Sequence, residues 1–391
     1  MNTKFLLNFY KSRYCQNELD MVFLTSIPEF NVLSSCDQNP RWHKEGNVMN
    51  HTLLVYESLQ KVLIENTDIY FSLTEDELLI LRAATLLHDI GKGVTTSIGK
   101  DGKLHAYGHE VEGEKIARVL LWDEDIQIRE NICSLIRYHM EPLKIFESKN
   151  WLNKIIEIGS RTSWKLLYLL KSADIAGSIQ ELPSSTKDDL AKLELIKETA
   201  ISLGIWDNKA NCYLRKINKY LNNKNLLPWK VKPNDNKIAY LMIGLPGSGK
   251  NTYINDVILK KHPNAVQISR DDIRIELGYC KEGEKYLGTE DEEKTVTNRY
   301  NEIFDESILN GNVIILNNTH LKKKYRDEYV STLRFYGYKV IFVYIEAPTL
   351  EFNYKRRDGE VPKNVIDRMA LSFEWPDTTE YDELIIEKQT H

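Results

Sequence analysis

Over its first half the chain places apolar residues three and four positions apart. HTLLVYESLQKVL (51–63), EDELLILRAATLLHDI (75–90) and SWKLLYLLKSADIAG (163–177) all carry that spacing, which lays one apolar stripe along each of a set of helices. The pattern continues through DDLAKLELIKETAISLG (188–204) and CYLRKINKYL (212–221). It stops at LLPWKVKPNDNK (226–237), a stretch with two prolines and no periodicity that reads as a linker. Beyond it, short unbroken apolar runs alternate with helical segments: IAYLMI (238–243), VIIL (313–316) and VIFVYI (340–345). Strands buried on both faces of a parallel sheet need such runs. The pattern therefore predicts two domains, an all-α helical bundle over 1–225 and an α/β domain with a parallel sheet over 238–391. A chain of 391 residues is also longer than one ordinary core supports.

Composition narrows the partners. Hydrophobic residues at 42% and charged residues at 28% are the balance of a globular protein. A net charge of −5 gives no global basic field, although a local basic channel can sit on an acidic protein. No apolar run reaches the ~18 residues of a membrane span. The start, MNTKFLLNFYKSRYC, lacks a small-residue cleavage site, so a cytoplasmic protein without a membrane partner is expected. The five cysteines are scattered without a C-x-x-C pair, which suggests neither a disulfide framework nor a thiolate zinc site.

The run IAYLMI leads into Gly244-Leu-Pro-Gly-Ser-Gly249-Lys250-Asn251-Thr252, and a helical segment follows. This is G-x-x-x-x-G-K between strand and helix, the context in which loop N–H groups and a helix N-terminus cradle phosphates. Gly244, Gly247, Ser248, Gly249, Lys250, Asn251 and Thr252 are the expected nucleotide-binding residues, with Lys250 reaching the β/γ oxygens. The residue after the lysine is ordinarily Ser or Thr, whose hydroxyl binds Mg²⁺. Here Asn251 stands there, and its amide oxygen, or Thr252, is the expected replacement. A second short run, AVQI (265–268), ends in Ser269-Arg270-Asp271-Asp272-Ile273-Arg274. A carboxylate at that strand end, Asp271, would accept the proton of an attacking hydroxyl, and Arg274 one turn later would hold an anionic acceptor.

GLPGSGK followed by SRDDIR resembles the 5′-kinase domain of the phage-type polynucleotide kinases. The segment NYKRRDGEVPKNVIDRM (353–369) is similar to their lid. The resemblance covers about residues 238–375. It implies Asp271 as general base, Arg274 on an acceptor phosphate, and Arg356, neighbour of Arg357, as the lid arginine on the donor phosphates. It implies ATP or another nucleoside triphosphate with Mg. Where the family has Asp-x-Asn this chain has Asn318-Thr319-His320, so Asn318 is expected in place of a magnesium-side carboxylate.

Six of nine histidines fall between positions 43 and 139. In order, His51, His88-Asp89, His109, His139 and Asp174 form an H…HD…H…H…D series. Imidazoles and carboxylates suit Mn, Fe, Co, Ni, Zn or Mg, and a helical bundle can gather them from several helices. A single such residue reads as a core histidine or a helix cap; the ordered series carries the metal reading. It resembles the HD phosphohydrolase superfamily. RWHKEGNVMNHTLLV (41–55) and LLHDIGK (86–92) are similar to the HD domain of bacterial tRNA nucleotidyltransferases. The resemblance implies one divalent metal on His51, His88, Asp89 and Asp174, and a second completed by His109 and His139. Asp89 then bridges the two as a catalytic residue. His43 and His105 are read as non-ligands, with His43 placed to touch substrate phosphate. About 40 residues precede this segment without a nucleotidyltransferase motif, so tRNA end addition is not implied.

Together the two halves resemble the bacterial HD–polynucleotide kinase fusions. That resemblance implies an end-healing enzyme for RNA or DNA termini. One domain would remove 2′ or 3′ phosphates and the other would phosphorylate 5′-hydroxyls, with a ligase as the further partner. A small-molecule kinase fused to a nucleotidase, or a non-catalytic nucleotide-binding module, are the competing readings.

Overall fold

The structure, a computed structural model, describes residues 4–11, 18–179, 184–207, 234–281, 286, 288–357 and 360–389. It forms two compact units, Met1–Asn218 and Lys219–His391. Residues 226–233 of the expected linker and the expected helix at 212–221 lie outside the described residues. Residues 234–237 belong to the first strand of the second unit.

The first unit is helical. Its main elements are α1 (Val48–Glu65), α2 (Glu75–Leu87), α3 (His109–Leu120), α4 (Ile126–Tyr138), α5 (Trp164–Gly177) and α6 (Ser184–Ser202). Polar caps fix where these helices start. Asn47, Thr74, Asp125 and Ser163 accept backbone N–H groups of the first turns of α1, α2, α4 and α5, and Glu77 completes a capping box with Thr74. Almost every residue of α5 is buried, the condition of a helix at the centre of a bundle. Helix α1 packs along α5, and α4 packs on both α2 and α3. Between α2 and α3 the chain makes a small antiparallel hairpin, β1 (Ser97–Ile98) with β2 (Leu104–His105).

The second unit is built on a five-stranded, all-parallel sheet. Its strands are β3 (Asn234–Ile243), β4 (Val266–Ile268), β5 (Ile314–Leu316), β6 (Tyr338–Glu346) and β7 (Glu383–Lys388), in the order β4-β5-β3-β6-β7. Every predicted apolar run is a strand of this sheet. The interior strands β5 and β6 are buried almost throughout, with Ile314, Ile315, Val343 and Ile345 at 0% exposure. Because all strands are parallel, the loops after β3, β4 and β5 emerge at one edge, where α/β proteins build their sites. Helices α7 (Lys250–Tyr253, continuing through a π-helical turn, Ile254–Ile258), α8 (Arg270–Glu276) and α9 (Glu290–Leu309) lie between these strands in sequence. They are followed by α10 (Lys323–Phe335), α11 (Leu350–Arg356) and α12 (Lys363–Leu371). Among the described residues, no helix is long and apolar enough to cross a membrane.

Candidate metal centre and phosphate-binding cleft

All six residues of the H…HD…H…H…D series converge in the first unit, and all are buried. His51 comes from the first turn of α1 and Asp174 from the last turn of α5. His88 and His139 cap the C-termini of α2 and α4, and His109 opens α3. Asp89 sits in the middle. Its Oδ2 lies 3.5 Å from His51 Nε2 and 3.3 Å from His88 Nε2; its Oδ1 lies 3.4 Å from His109 Nε2 and 3.7 Å from His139 Nε2. Asp174 Oδ1 is 3.2 Å from His51 Nε2 and 3.9 Å from His88 Nε2. One carboxylate thus faces a pair of imidazoles with each oxygen. Gly91, in the turn after Asp89, permits the approach: a Cβ there would stand 2.1 Å from the carbonyl oxygen of His109.

The backbone aims the rings. His88 Nδ1 donates to Thr85 O (2.8 Å), His109 Nδ1 to Ala106 O (2.7 Å) and His139 Nδ1 to Ile136 O (2.7 Å). For His88 and His139 these acceptors are last-turn carbonyls that a helix end otherwise leaves unpaired. A carbonyl only accepts, so each Nδ1 donates a proton and each ring turns its Nε2 inward. Burial above all pushes the pKa of His109 down and that of His139 well down, and both rings are neutral. Their two Nε2 atoms nevertheless face each other at 3.2 Å, and the buried Nε2 of His88 has no hydrogen-bond partner. Converging lone pairs beside ionised carboxylates are what a divalent cation fits, and the tied-back Nδ1 atoms are the outer support such ligands need. Asp89 and Asp174 are held well below the usual carboxylate range. Burial opposes this, but it is outweighed for Asp89 by Lys92 (Nζ at 2.7 Å) and His88, and for Asp174 by Lys171 (2.6 Å) and His51.

Sequence reasoning missed Glu45. Its side chain is 1% exposed and accepts from His51 Nδ1 and His43 Nδ1, both at 2.8 Å, and from the backbone N–H of Ile179 at 3.0 Å. Burial raises its pKa, but the two imidazole hydrogen bonds drive it far below its ordinary value. His51, between Glu45 and Asp174, is raised to about 9 although burial opposes it. His43 stands beside His51, their ring centroids 4.6 Å apart. It lines a cavity of about 390 Å³ together with Lys92 and His109. His105 belongs to the same cavity wall but lies outside the Nε2 cluster.

In the second unit, residues 246–252 line a cleft of about 1000 Å³ with Ser269–Asp272, Arg274 and Arg356. Gly244, Gly247 and Gly249 all take positive φ, which turns the loop N–H groups toward one side. Lys250 Nζ bonds back to the carbonyls of Gly244 and Leu245, both at 2.9 Å. Burial, followed by Arg357, lowers its pKa to about 7. Ser248 Oγ and His320 Nε2 are buried polar atoms without a partner in the wall of this cleft. His320 also holds a positive φ of 41°, a conformation rare outside glycine. A polyphosphate would give Ser248 Oγ the partner it lacks. Thr252 is exposed in the cleft, and Arg356 lies over the Phe352 ring at 4.5 Å.

Asn318 lines this cleft as well, its Oδ1 accepting from Arg270 N at 3.4 Å and its Nδ2 donating to Tyr300 OH at 3.2 Å. The residue opposite Asn251 is Asn317, whose Nδ2 donates to Asn251 Oδ1 at 2.9 Å. Asn317 N still bonds to Ile268 O, so the ladder continues one residue past β5. Asp271 is 79% exposed and pairs with Arg274 Nη1 at 2.6 Å. Glu293 of α9, unremarked in the sequence, holds both Arg270 (2.7 Å) and Arg274 (2.9 Å). Buried Arg326 forks onto Glu380 (2.7 and 3.2 Å) and donates from Nη1 to the carbonyls of His320 and Leu321.

Residues 48–175 match the family model of the HD domain, and residues 240–376 match that of an AAA domain. The chain joins an HD domain to a kinase-like P-loop domain. A 94-residue stretch is 42% identical to the "Multifunctional CCA protein" of Actinobacillus pleuropneumoniae serotype 5b (strain L20), and equally to that of serotype 7 (strain AP76). The match covers 24% of this chain and 20% of each relative. The chain thus spans about a fifth of the length of these curated relatives.

Proposed function

We propose that the protein is a bifunctional end-healing enzyme. Its HD domain removes phosphate from 2′- or 3′-phosphorylated RNA or DNA ends, and its P-loop domain phosphorylates 5′-hydroxyl ends from a nucleoside triphosphate. The observation that carries the first half is Asp89 between two imidazole pairs, with every Nδ1 committed elsewhere. His51, His88, Asp89 and Asp174 would hold one divalent ion, and His109 and His139, with Asp89, a second. Such ions supply a Lewis acid for a phosphoryl oxygen and a lowered pKa for bound water. Lys92, held by Asp89 and by Gln38 Oε1 (2.8 Å), places positive charge where a phosphate enters. His43, its Nδ1 committed to Glu45, offers Nε2 to a substrate hydroxyl in the cavity.

In the P-loop domain the loop N–H groups, Lys250 and Arg356 neutralise the donor phosphates. Asp271 accepts the proton of the 5′-hydroxyl and Arg274 clamps the acceptor's phosphate, so that catalysis rests on positioning and charge. The two ends left by a nuclease that makes 2′,3′-cyclic or 3′-phosphates are a phosphorylated 3′ side and a 5′-hydroxyl. One chain holding both chemistries prepares them for a ligase. The test offers a 5′-hydroxyl oligonucleotide, beside small alcohols, as acceptor for a labelled γ-phosphate, and measures phosphate release from a 3′-phosphorylated oligonucleotide. Transfer to the small alcohols alone would overturn the polynucleotide reading. Nucleotide binding without transfer would favour a non-catalytic module, a reading supported by the Asn251–Asn317 pair on the magnesium side.

A further inference from the structure

The cavity beside the His–Asp cluster changes character from floor to mouth. His43, Lys92 and His109 face it from the cluster, while Trp42, His105 and Tyr107 give its wall an aromatic surface. His105 ends the hairpin strand β2 and Tyr107 stands two residues before His109. Their rings are stacked, with centroids 5.0 Å apart and planes at 11°. Burial does not explain Tyr107, which is 80% exposed. The hairpin instead fixes the ring beneath it: His105 Nε2 bonds Asp101 Oδ1 at 2.9 Å. Gly99 leaves the ring its room, since a Cβ there would stand 2.6 Å from His105 Cδ2. A flat, exposed ring held on a second ring is a platform whose ordering is complete before any ligand arrives. Exposed Lys144 also lines this cavity, a cation suited to a phosphate chain.

We propose that the His105–Tyr107 pair is a base-stacking shelf, so that the HD domain takes a nucleoside with its 2′- or 3′-phosphate at the cluster and its base on Tyr107. The inference rests on the phosphohydrolase reading above and adds the substrate class: esters that carry a nucleobase over those that do not. Stacking on an aromatic side chain is sequence-tolerant, because every base has a π-face. The shelf therefore selects nucleosides without selecting among them.

The test uses the metal-loaded full chain and two esters, adenosine 3′-monophosphate and β-glycerophosphate, which has the phosphate and no base. Tyr107→Ala is expected to raise KM for the adenosine ester about 5- to 30-fold. It should move KM for β-glycerophosphate less than twofold and leave kcat for both unchanged. Tyr107→Phe keeps the ring and should keep wild-type values. Gly99→Ala, which displaces His105, should fall between. Equal shifts for the two esters, or an unchanged KM for the adenosine ester in Tyr107→Ala, would overturn the shelf. If neither ester is hydrolysed, the phosphohydrolase reading fails separately. The shelf is then judged by titrating adenosine 3′-monophosphate into wild type and Tyr107→Ala, and equal affinities, or no binding to either, would overturn it.

Discussion

Replacing Glu45 with alanine removes one acceptor on which three donors depend: the Nδ1–H groups of His43 and His51 and the N–H of Ile179. His51 matters most, because its side chain is 1% exposed and water cannot take over the lost bond. A buried donor left unpaired costs about 1–3 kcal/mol; the more exposed His43 and Ile179 donors recover part of theirs, so a loss of about 2–4 kcal/mol in stability is expected. Function should suffer in a different way. Without Glu45 the His51 ring loses the bond that turns Nε2 toward Asp89 and Asp174, and loss of such a support typically weakens a metal about 10- to 100-fold. Calorimetric titration with Mn²⁺ reads the affinity, and thermal unfolding of the same samples reads the stability. Glu45→Gln keeps one oxygen but turns an NH₂ toward one donor, so it should lie between wild type and Glu45→Ala in both measurements. A folded Glu45→Ala protein that binds Mn²⁺ like wild type would refute the positioning argument.

The other predictions concern both domains. Lys250→Ala or Asp271→Ala should abolish 5′ phosphorylation and spare phosphate release from 3′ ends; a folded variant that loses both contradicts independent sites. His88→Ala or Asp89→Ala should do the converse, and elemental analysis of the saturated wild type should find two ions per chain. One ion would demote His109 and His139 to structural roles. Asn251→Leu strips Asn317 of its amide partner and should lower kinase rate and magnesium response together, whereas Asn251→Ser with Asn317→Asp should shift the magnesium titration to lower concentration. An unchanged titration in the leucine variant would remove Asn251 from the magnesium side. Glu293→Gln loosens Arg270 and Arg274 and should raise KM for a 5′-hydroxyl oligonucleotide a few-fold while triphosphate affinity holds; equal losses for both substrates would count against Arg274 as an acceptor clamp.

The chemistry-bearing residues were legible because their types are costly to bury without a purpose and they recur in an ordered series; all six converge. The strands were legible because burial on both faces leaves unbroken apolar runs. Supporting residues were not. Glu45 and Glu293 look like any solvated acid until the chain folds, and nothing in the sequence places Glu293 of α9 against Arg274 of α8. The pairing of Asn317 with Asn251 was not legible because the ladder runs one residue beyond the apolar run. The hairpin β1–β2 escaped because strands of two residues have no periodicity to read.

Arg326 has a consequence for motion. Its guanidinium ties the carbonyls of His320 and Leu321, in one wall of the phosphate cleft, to Glu380, which lies 54 positions away in sequence. Opening that wall means breaking two hydrogen bonds from a buried guanidinium, each worth about 1.5–3 kcal/mol. The amides of Asn317, bonded to Ile268 O, and Gly244, bonded to Thr319 O, should therefore exchange with solvent on the timescale of the sheet itself. The exposed residues of the P-loop domain would breathe, while this wall keeps its shape from one turnover to the next.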